Sequence, residues 1–454
     1  MKINMKKNSY LCTEKREAIL KKIRYMIMIA FGVTLPLTTL AQDLTRVIQG
    51  AKVDYPILRN YYPTNEWLLY NNHVNYYFTF GKMNSTGTSF NFLNVQKNID
   101  VKDMFVYRDT LFFCGRIFDS MTMVYKGLMG YFKINPMPTS SINYIMMDSL
   151  SCLNKIEVYK MASTLHMAVV GTHQTNYSVL VDAYMDNYFG NSTNWQVKWA
   201  TISDMNAIFD DITITNSYVV ASARVPDSTA AYLCFFEKPP LAYRSFLALN
   251  GNTIEKLLYY PFSRPVFLEH GDLDTLYAVY QNQGLLLPSL CICQFDGLQN
   301  TVSRSFSSSI ADLTIKDVQR SYDYNSINIL VSYSFRPGTM ERFVTYNIPS
   351  AIMAIGGPVF ARSYPASSVV YSLGGNKNGN QDAAGVCQTG EMGIFRTADN
   401  DIGSCAGLES VNLNPMSLIS DWPIEKSLNI SVKNESVQGM TITTSPYSVY
   451  TSCQ

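Results

Sequence analysis

After residue 42 the apolar positions fall in short runs rich in Val, Ile, Tyr, Phe and Thr, bounded by Asn, Asp, Gly, Ser and Pro. That is how strands read, since β-branched and aromatic side chains suit a pleated surface and the bounding residues suit tight turns. Helical periodicity is nearly absent there. One pattern recurs, a polar turn followed by an apolar strand: DTLFFCG from Asp109, STLHMAVVG from Ser163, NSYVVASA from Asn216, DTLYAVYQ from Asp274 and NSINILVSY from Asn325. Successive starts lie 54, 53, 58 and 51 residues apart. Each is preceded by a shorter strand (VKDMFVYR, NKIEVYKM, DDITITN, PVFLEH, IKDVQRSY) and followed by a third, such as GLMGYFKI or ERFVTYNI. A fourth, more polar strand such as TVSRSFSSS fills the remainder.

A repeat of about 40–55 residues holding four antiparallel strands is the sequence mark of a β-propeller blade. Such a sheet has two apolar faces, and radial packing buries both while leaving only short edges. An earlier unit fits 51–98, with NHVNYYFTF as its inner strand, and a degenerate later one fits 366–408. The expectation is an all-β chain: a propeller of about seven blades, six being the alternative, over 42–408. A short strand-rich tail follows over 409–454, with Pro415, Pro423 and Pro446. A set of β-sandwiches is the rival architecture. Leu111, Val169, Val220 and Ile329 are expected to be buried at equivalent blade positions.

The first residues read differently. Lys21, Lys22 and Arg24 precede the uncharged run from Tyr25 to Gln42, with small residues at Thr39 and Ala41. This predicts a secretory signal peptide over 1–41, cleaved before Gln42, rather than a stable transmembrane anchor. Its removal leaves 28 basic and 33 acidic residues, so the exported chain is mildly acidic. That balance argues against nucleic-acid partners. Charged residues are only 16% and aromatics 13%, too few and too many for a disordered chain. The expected location is periplasmic, cell-surface or secreted, and the expected state a monomer.

Eight cysteines remain after the leader, and export permits disulfides. Cys114 and Cys234 sit in apolar runs and read as buried thiols. Cys387, Cys405 and Cys453 lie in polar sequence, and a bridge from Cys453 to Cys405, or to Cys387, would pin the tail. No cysteine or histidine spacing suits zinc.

The segments VKDMFVYRDTLFFCGRIF…GLMGYFKIN and QTGEMGIFRTADNDIGSC resemble uncharacterised secreted β-propeller-like proteins of anaerobic Gram-negative bacteria. The resemblance covers most of residues 50–408 and implies the fold; it brings no catalytic residues. Asp109-Thr110-Leu111, Asp119-Ser120-Met121, Asp148-Ser149-Leu150 and Asp274-Thr275-Leu276 also resemble the O-glycosylation acceptors of such bacteria. Asp-Thr at a strand start equally makes a turn.

Candidate chemistry is sparse. The four histidines are His73, His166, His173 and His270, and the seven-residue spacing of His166 and His173 prevents a simple pair on one strand. Asn376, Asn378, Asn380 and Asp382 alternate in GGNKNGNQDAAG, a weak calcium-loop pattern with a single carboxylate. No other cofactor is implied. Trp195 and Trp199 lie four apart among polar residues and would face one side of a strand, as a platform for a sugar. No nucleophile elbow, zincin motif or nucleotide-binding loop is present. The sequence therefore points to an exported binding or interaction module for a glycan or protein, acting through loops on one propeller face. The alternative is a propeller enzyme, a lyase or hydrolase acting on glycans. Convergence of acids and histidines from several blades would favour the enzyme.

Overall fold

Chain order sets sheet order in this computed structural model. It describes residues between Leu44 and Cys453 apart from most connecting segments, of which 238–255 and 416–429 are the longest. Residues 1–43 lie outside the described residues, and the expected leader with them. The described residues form strands and turns and no helix.

After β1 (Leu44–Lys52), sheet 1 is β2 (Asp54–Tyr61), β3 (Asn65–Asn72), β4 (Tyr77–Met83) and β5 (Ser89–Gln96). Sheet 2 is β6 (Ile99–Tyr107), β7 (Thr110–Asp119), β8 (Val124–Lys133) and β9 (Ser141–Met147). Sheet 3 is β10 (Leu150–Met161), β11 (Thr164–His173), β12 (Ser178–Met185) and β13 (Asn194–Ile202). Sheet 4 is β14 (Ile208–Ile214), β15 (Tyr218–Arg224), β16 (Ala231–Glu237) and β17 (Lys256–Tyr260). Sheet 5 is β18 (Phe267–His270), β19 (Thr275–Asn282), β20 (Ser289–Asp296) and β21 (Thr301–Ser308). Sheet 6 is β22 (Leu313–Arg320), β23 (Ser326–Tyr333), β24 (Arg342–Pro349) and β25 (Gly357–Ser363). Sheet 7 is β26 (Val369–Gly374), β27 (Asn380–Val386) and β28 (Glu391–Ala398), completed by β1, which pairs with β28 from Leu44↔Arg396. All pairings are antiparallel.

The first strands of successive sheets neighbour one another: β2 and β6, β6 and β10, β10 and β14, β14 and β18, β18 and β22, β22 and β26. β26 neighbours β2 in turn, so the order returns to its start, a propeller-like arrangement. The recurring apolar strand of the sequence is the second strand of sheets 2 to 6. In the first unit the expectation needs correction. Tyr77–Met83 is the third strand, and the asparagine-flanked NEWLLYNN is the second. Its polar ends disguise it as a loop.

Packing follows from two-faced sheets. Phe78, Phe80 and Val95 of sheet 1 meet Val101, Leu111, Phe113 and Leu128 of sheet 2. The opposite face of sheet 2, with Phe112, Met129 and Ile145, meets Ile156, Val169, Val181 and Trp195 of sheet 3. Further layers join sheets 3 and 4, 5 and 6, and 6 and 7. Each buried Phe, Leu or Val adds about 1.5–3 kcal/mol of transfer free energy, so the layers carry the fold.

Leu111, Val169, Val220 and Ile329 are all fully buried, as expected. Their equivalence is only partial. Val169 and Ile329 stand opposite Ile156 and Val318, the residues that follow a bulge in the first strand. The matching residues in sheets 2 and 4 are Phe113 and Ala221. Val220 is one residue off, which puts it on the other face.

The bulges also fix three glycines. Gly115, Gly171 and Gly385 lie on the second strands of sheets 2, 3 and 7, opposite the bulges. A Cβ at each would collide with the carbonyl oxygen of Asp100, Cys152 or Val369 on the first strand. A bulge crowds its partner strand, and only a residue without a side chain fits there.

The C-terminal strands, β29 (Leu408–Pro415), β30 (Ile430–Gln438) and β31 (Met440–Cys453), run along outer edges. β29 pairs with β25 and then β21. β30 pairs with β13 along its whole length, and β31 with β9, β5 and β1 in turn. The tail strands are thus fifth strands of sheets built by the rest of the chain. Cys453 stands opposite Arg46 of β1, while Cys387 and Cys405 lie outside the described residues.

Candidate functional site

The first strands of sheets 2, 3, 4, 6 and 7 carry a register irregularity just before Asp103, Lys155, Asp211, Asp317 and Ser372 respectively. Bulges re-aim side chains. Here they place these residues at one level of the ring, where the first strands meet. Three of the five are aspartates, in every second sheet.

Each acceptor reaches an amide of the next sheet. Ile156 N–H donates to Asp103 Oδ2 (3.3 Å), Leu268 N–H to Asp211 Oδ2 (2.9 Å) and Leu373 N–H to Asp317 Oδ2 (2.8 Å). Leu58 N–H donates to Ser372 Oγ (2.8 Å), which carries the series from sheet 7 to sheet 1. The second oxygens of Asp211 and Asp317 accept from the N–H of Ile212 (2.9 Å) and Val318 (3.0 Å). Asp103 Oδ1 instead accepts from Arg59 Nη2 of sheet 1 (2.9 Å), and Arg59 Nη1 lies 3.6 Å from Asp317 Oδ2. All six carboxylate oxygens are therefore engaged. Bonds to charged groups add roughly 1.5–3 kcal/mol each, and a buried carboxylate that loses its partner costs more.

Lys155 completes the cluster. Burial alone would lower its pKa, but Asp103, Asp211 and Asp317 together outweigh this and hold it raised. Asp211 shows the opposite balance. Burial pushes its carboxyl up to about 6, although Lys155 and the two amides pull it down. Two cations and three carboxylates thus share one site with little solvent, a high-stakes network that is favourable only when fully satisfied.

A second polar group lies between sheets 3 and 4. His166 Nδ1 is 3.1 Å from Asp182 Oδ1 and 3.3 Å from Oδ2, and both residues are buried. The imidazole is sandwiched by Tyr159 (5.0 Å) and Tyr184 (5.2 Å). Burial first, and Asp182 second, push the Tyr159 hydroxyl pKa far up. The arrangement anchors a polar pair in a packed layer. His173, at the other end of β11, receives Thr175 at 2.7 Å and stands 5.2 Å from Trp199. His73 lies outside the described residues, and β18 ends at His270.

A third feature is apolar and exposed. Four of the large hydrophobic residues exposed among the described residues sit on the β7–β8 turn: Met121, Met123, Val124 and Tyr125. Met121 is 92% and Met123 70% exposed, so neither is supported by packing. The turn is nevertheless tied down by polar bonds. Asp119 accepts from Met121 N–H (3.0 Å), Thr122 Oγ1 (2.8 Å) and Lys126 Nζ (2.7 Å). Lys126 bridges on to Asp148 (2.9 Å), and these bonds, Lys126 first, hold the Asp119 carboxyl down at about 2. Met123 takes a left-handed φ of 58°, costly for a side chain without local polar compensation. Arg116 covers the Tyr125 ring at 4.2 Å, and Gln174 Nε2 donates to its carbonyl (2.7 Å).

The residues singled out by sequence fare unevenly. Trp195 and Trp199 do share one face, but they are 1% and 3% exposed in the layer between sheets 2 and 3, which corrects their reading as a sugar platform. Polar neighbours on β13 alternate with them and face the other way, hence the misleading context. Asn376 and Asn378 lie outside the described residues. Asn380 and Asp382 belong to strand β27 rather than a loop, and no metal-ligating cluster occurs among the described residues. Cys114 and Cys234 are buried free thiols, as expected, with pKa values raised by burial. Thr110 is buried at its turn, so it is no acceptor for a glycan, whereas Ser120 is exposed.

The aspartate cluster was missed, although its signal is present. VKDMFVY, FDDITI and TIKDVQR place Asp103, Asp211 and Asp317 at one position in alternate repeats. A charge recurring inside an apolar strand is the mark of a polar group with a fixed partner.

No protein-family profile matches the chain, and no curated protein matches it in sequence. Among solved structures, Hsv2 of Kluyveromyces lactis is similar over 73% of this chain and 95% of its own, at 8% identity and a TM-score of 0.34. A GH32 beta-fructofuranosidase of Bombyx mori, BmSUC1, is similar over 87% of this chain and 94% of its own, at 9% identity and a TM-score of 0.31.

Proposed function

We propose that the chain is a seven-bladed β-propeller, exported to the periplasm or cell surface, that works as a non-enzymatic binding module for a glycan or protein. The blade count rests on seven antiparallel four-stranded sheets, with first strands that neighbour each other in closed order and a last sheet completed by β1. One observation carries the functional reading. The acids that converge on the ring each hold an amide of the next sheet, and Asp103 also pairs with Arg59, which supports a structural role for them. The hydrogen-bonded turn around Met121 and Met123, in contrast, offers two large apolar side chains that are mostly exposed.

The test is a glycan array and a polysaccharide-degradation screen on the mature protein, run together. Saturable binding without bond cleavage supports the module. Turnover of any polysaccharide, lost on changing one axial aspartate to Asn in a protein that stays folded, overturns it.

A further inference from the structure

The outer strands of the sheets differ in how they are protected. β13, β17, β21 and β25 each carry a cation, Lys198, Lys256, Arg304 and Arg362, and β1 carries Arg46 and Lys52. Charges on an edge discourage pairing with another chain. β5, SFNFLNVQ, and β9, SINYIMM, have no charge and no proline. Long, uncharged, β-prone edges of this kind are templates for strand addition.

β31 covers those two edges, as β30 covers the charged β13 and β29 the charged β21 and β25. Thr444–Tyr450 pair with Val95–Ser89 of β5, and Met440–Thr443 pair with Tyr144–Ser141 of β9. β31 then ends on β1, with Cys453 opposite Arg46. Sheets 1 and 2 have four strands without it, and the ring is closed by β1 on β28. Pro446, opposite Leu93, is a residue that sheets tolerate on edge strands, so it suits β31 as an outermost strand.

We propose that β5 and β9 form a strand-addition surface, that β31 is a separable strap filling it, and that the bare β5 and β9 edges of a second copy pair with it when the strap is displaced. The partner chemistry is an extended, uncharged segment that recognises backbone amides and carbonyls. Loss of the strap would then couple two chains without any change in the ring.

The experiment uses the mature full-length chain with a specific protease site inserted at Gly439, between β30 and β31. After cleavage, the 440–454 peptide is expected to stay bound in buffer and to leave in urea below the unfolding transition. The stripped protein should keep its circular dichroism spectrum while its weight-average mass rises about twofold or more. Adding synthetic 440–454 peptide should return it to the monomer. Asn91→Lys with Asn143→Lys puts a charge on each bare edge, and should abolish association of the stripped protein while leaving the uncut protein monomeric. A stripped protein that stays monomeric, unfolds with loss of the strap, ignores the peptide, or associates equally in the lysine variant overturns the proposal.

Discussion

The axial cluster and the β7–β8 turn are opposites. The first gathers five charged side chains from five sheets, Arg59, Asp103, Lys155, Asp211 and Asp317, and leaves no carboxylate oxygen idle. The second gathers four apolar side chains from one hairpin and leaves two of them mostly exposed. Convergent acids suggest chemistry until their partners are counted. Here the count makes them staples between sheets, because each carboxylate holds an amide of the following sheet. An exposed apolar tip suggests a defect until its base is examined. Asp119, Lys126 and Asp148 fix that base with polar bonds, which would lower the entropy lost on binding a partner there, as proposed.

The comparison can be strained from the interior outward. The largest effect is expected in the apolar layers between sheets 2 and 3 and between sheets 5 and 6. Val169→Asp or Ile329→Asp buries an unpaired charge and should cost more than about 4 kcal/mol, enough to unfold a marginal domain. Thermal melts checked by circular dichroism read this, and wild-type melting in both variants would break the register described for β11 and β23.

A smaller effect is expected from pH. The Asp211 carboxyl has a folded pKa of about 6 against an ordinary 3.8, so the folded protein holds its proton more tightly than the unfolded chain does. Stability from this residue is therefore highest when it is protonated, falls as pH climbs through that interval, and levels off above about 6. The fall should be about 2 kcal/mol between about pH 4 and pH 7. Urea unfolding at both values should show it in the wild type, and Asp211→Asn should remove that component. An unchanged pH dependence in the variant would mean that Asp211 is solvated and no part of a buried network.

The smallest effect on stability belongs to the turn. Met121→Ser with Met123→Ser should change the unfolding free energy by no more than about 0.5 kcal/mol, since neither side chain is packed. The same variant should lose most of its binding to a ligand recovered from the array. Full retention of binding would move the contact surface elsewhere and leave the exposed methionines without a role.

Most of the fold was legible because strand repeats advertise themselves. Asp109-Thr110 and Asn325-Ser326 mark turns, and the apolar runs after them are the second strands β7 and β23. The first unit was misaligned because Asn65, Asn71 and Asn72 make β3 look like a loop. The tail was legible as strands but not as a belt, since pairing between Ile442 and Ile142, or Tyr447 and Phe92, leaves no trace in local sequence. The candidate site was hardly legible. Trp195 and Trp199 drew attention by their polar neighbours, and burial depends on the sheet that packs over them. Asp103, Asp211 and Asp317 stood in the short strands VKDMFVYR, DDITITN and IKDVQRSY without a role, because the bulge that turns each one inward is a property of the pairing.

The central claim is that the axial acids hold the ring together. It is tested most directly by the unfolding free energy of Asp317→Ala, measured by urea titration beside the wild type. The variant strips the acceptor from Leu373 and Val318 N–H and leaves the Arg59 guanidinium with less compensation. The predicted result is a loss of about 3–5 kcal/mol. Wild-type stability in this variant, together with the disappearance of a measurable polysaccharide-cleaving activity, would contradict the account and make Asp317 a catalytic acid.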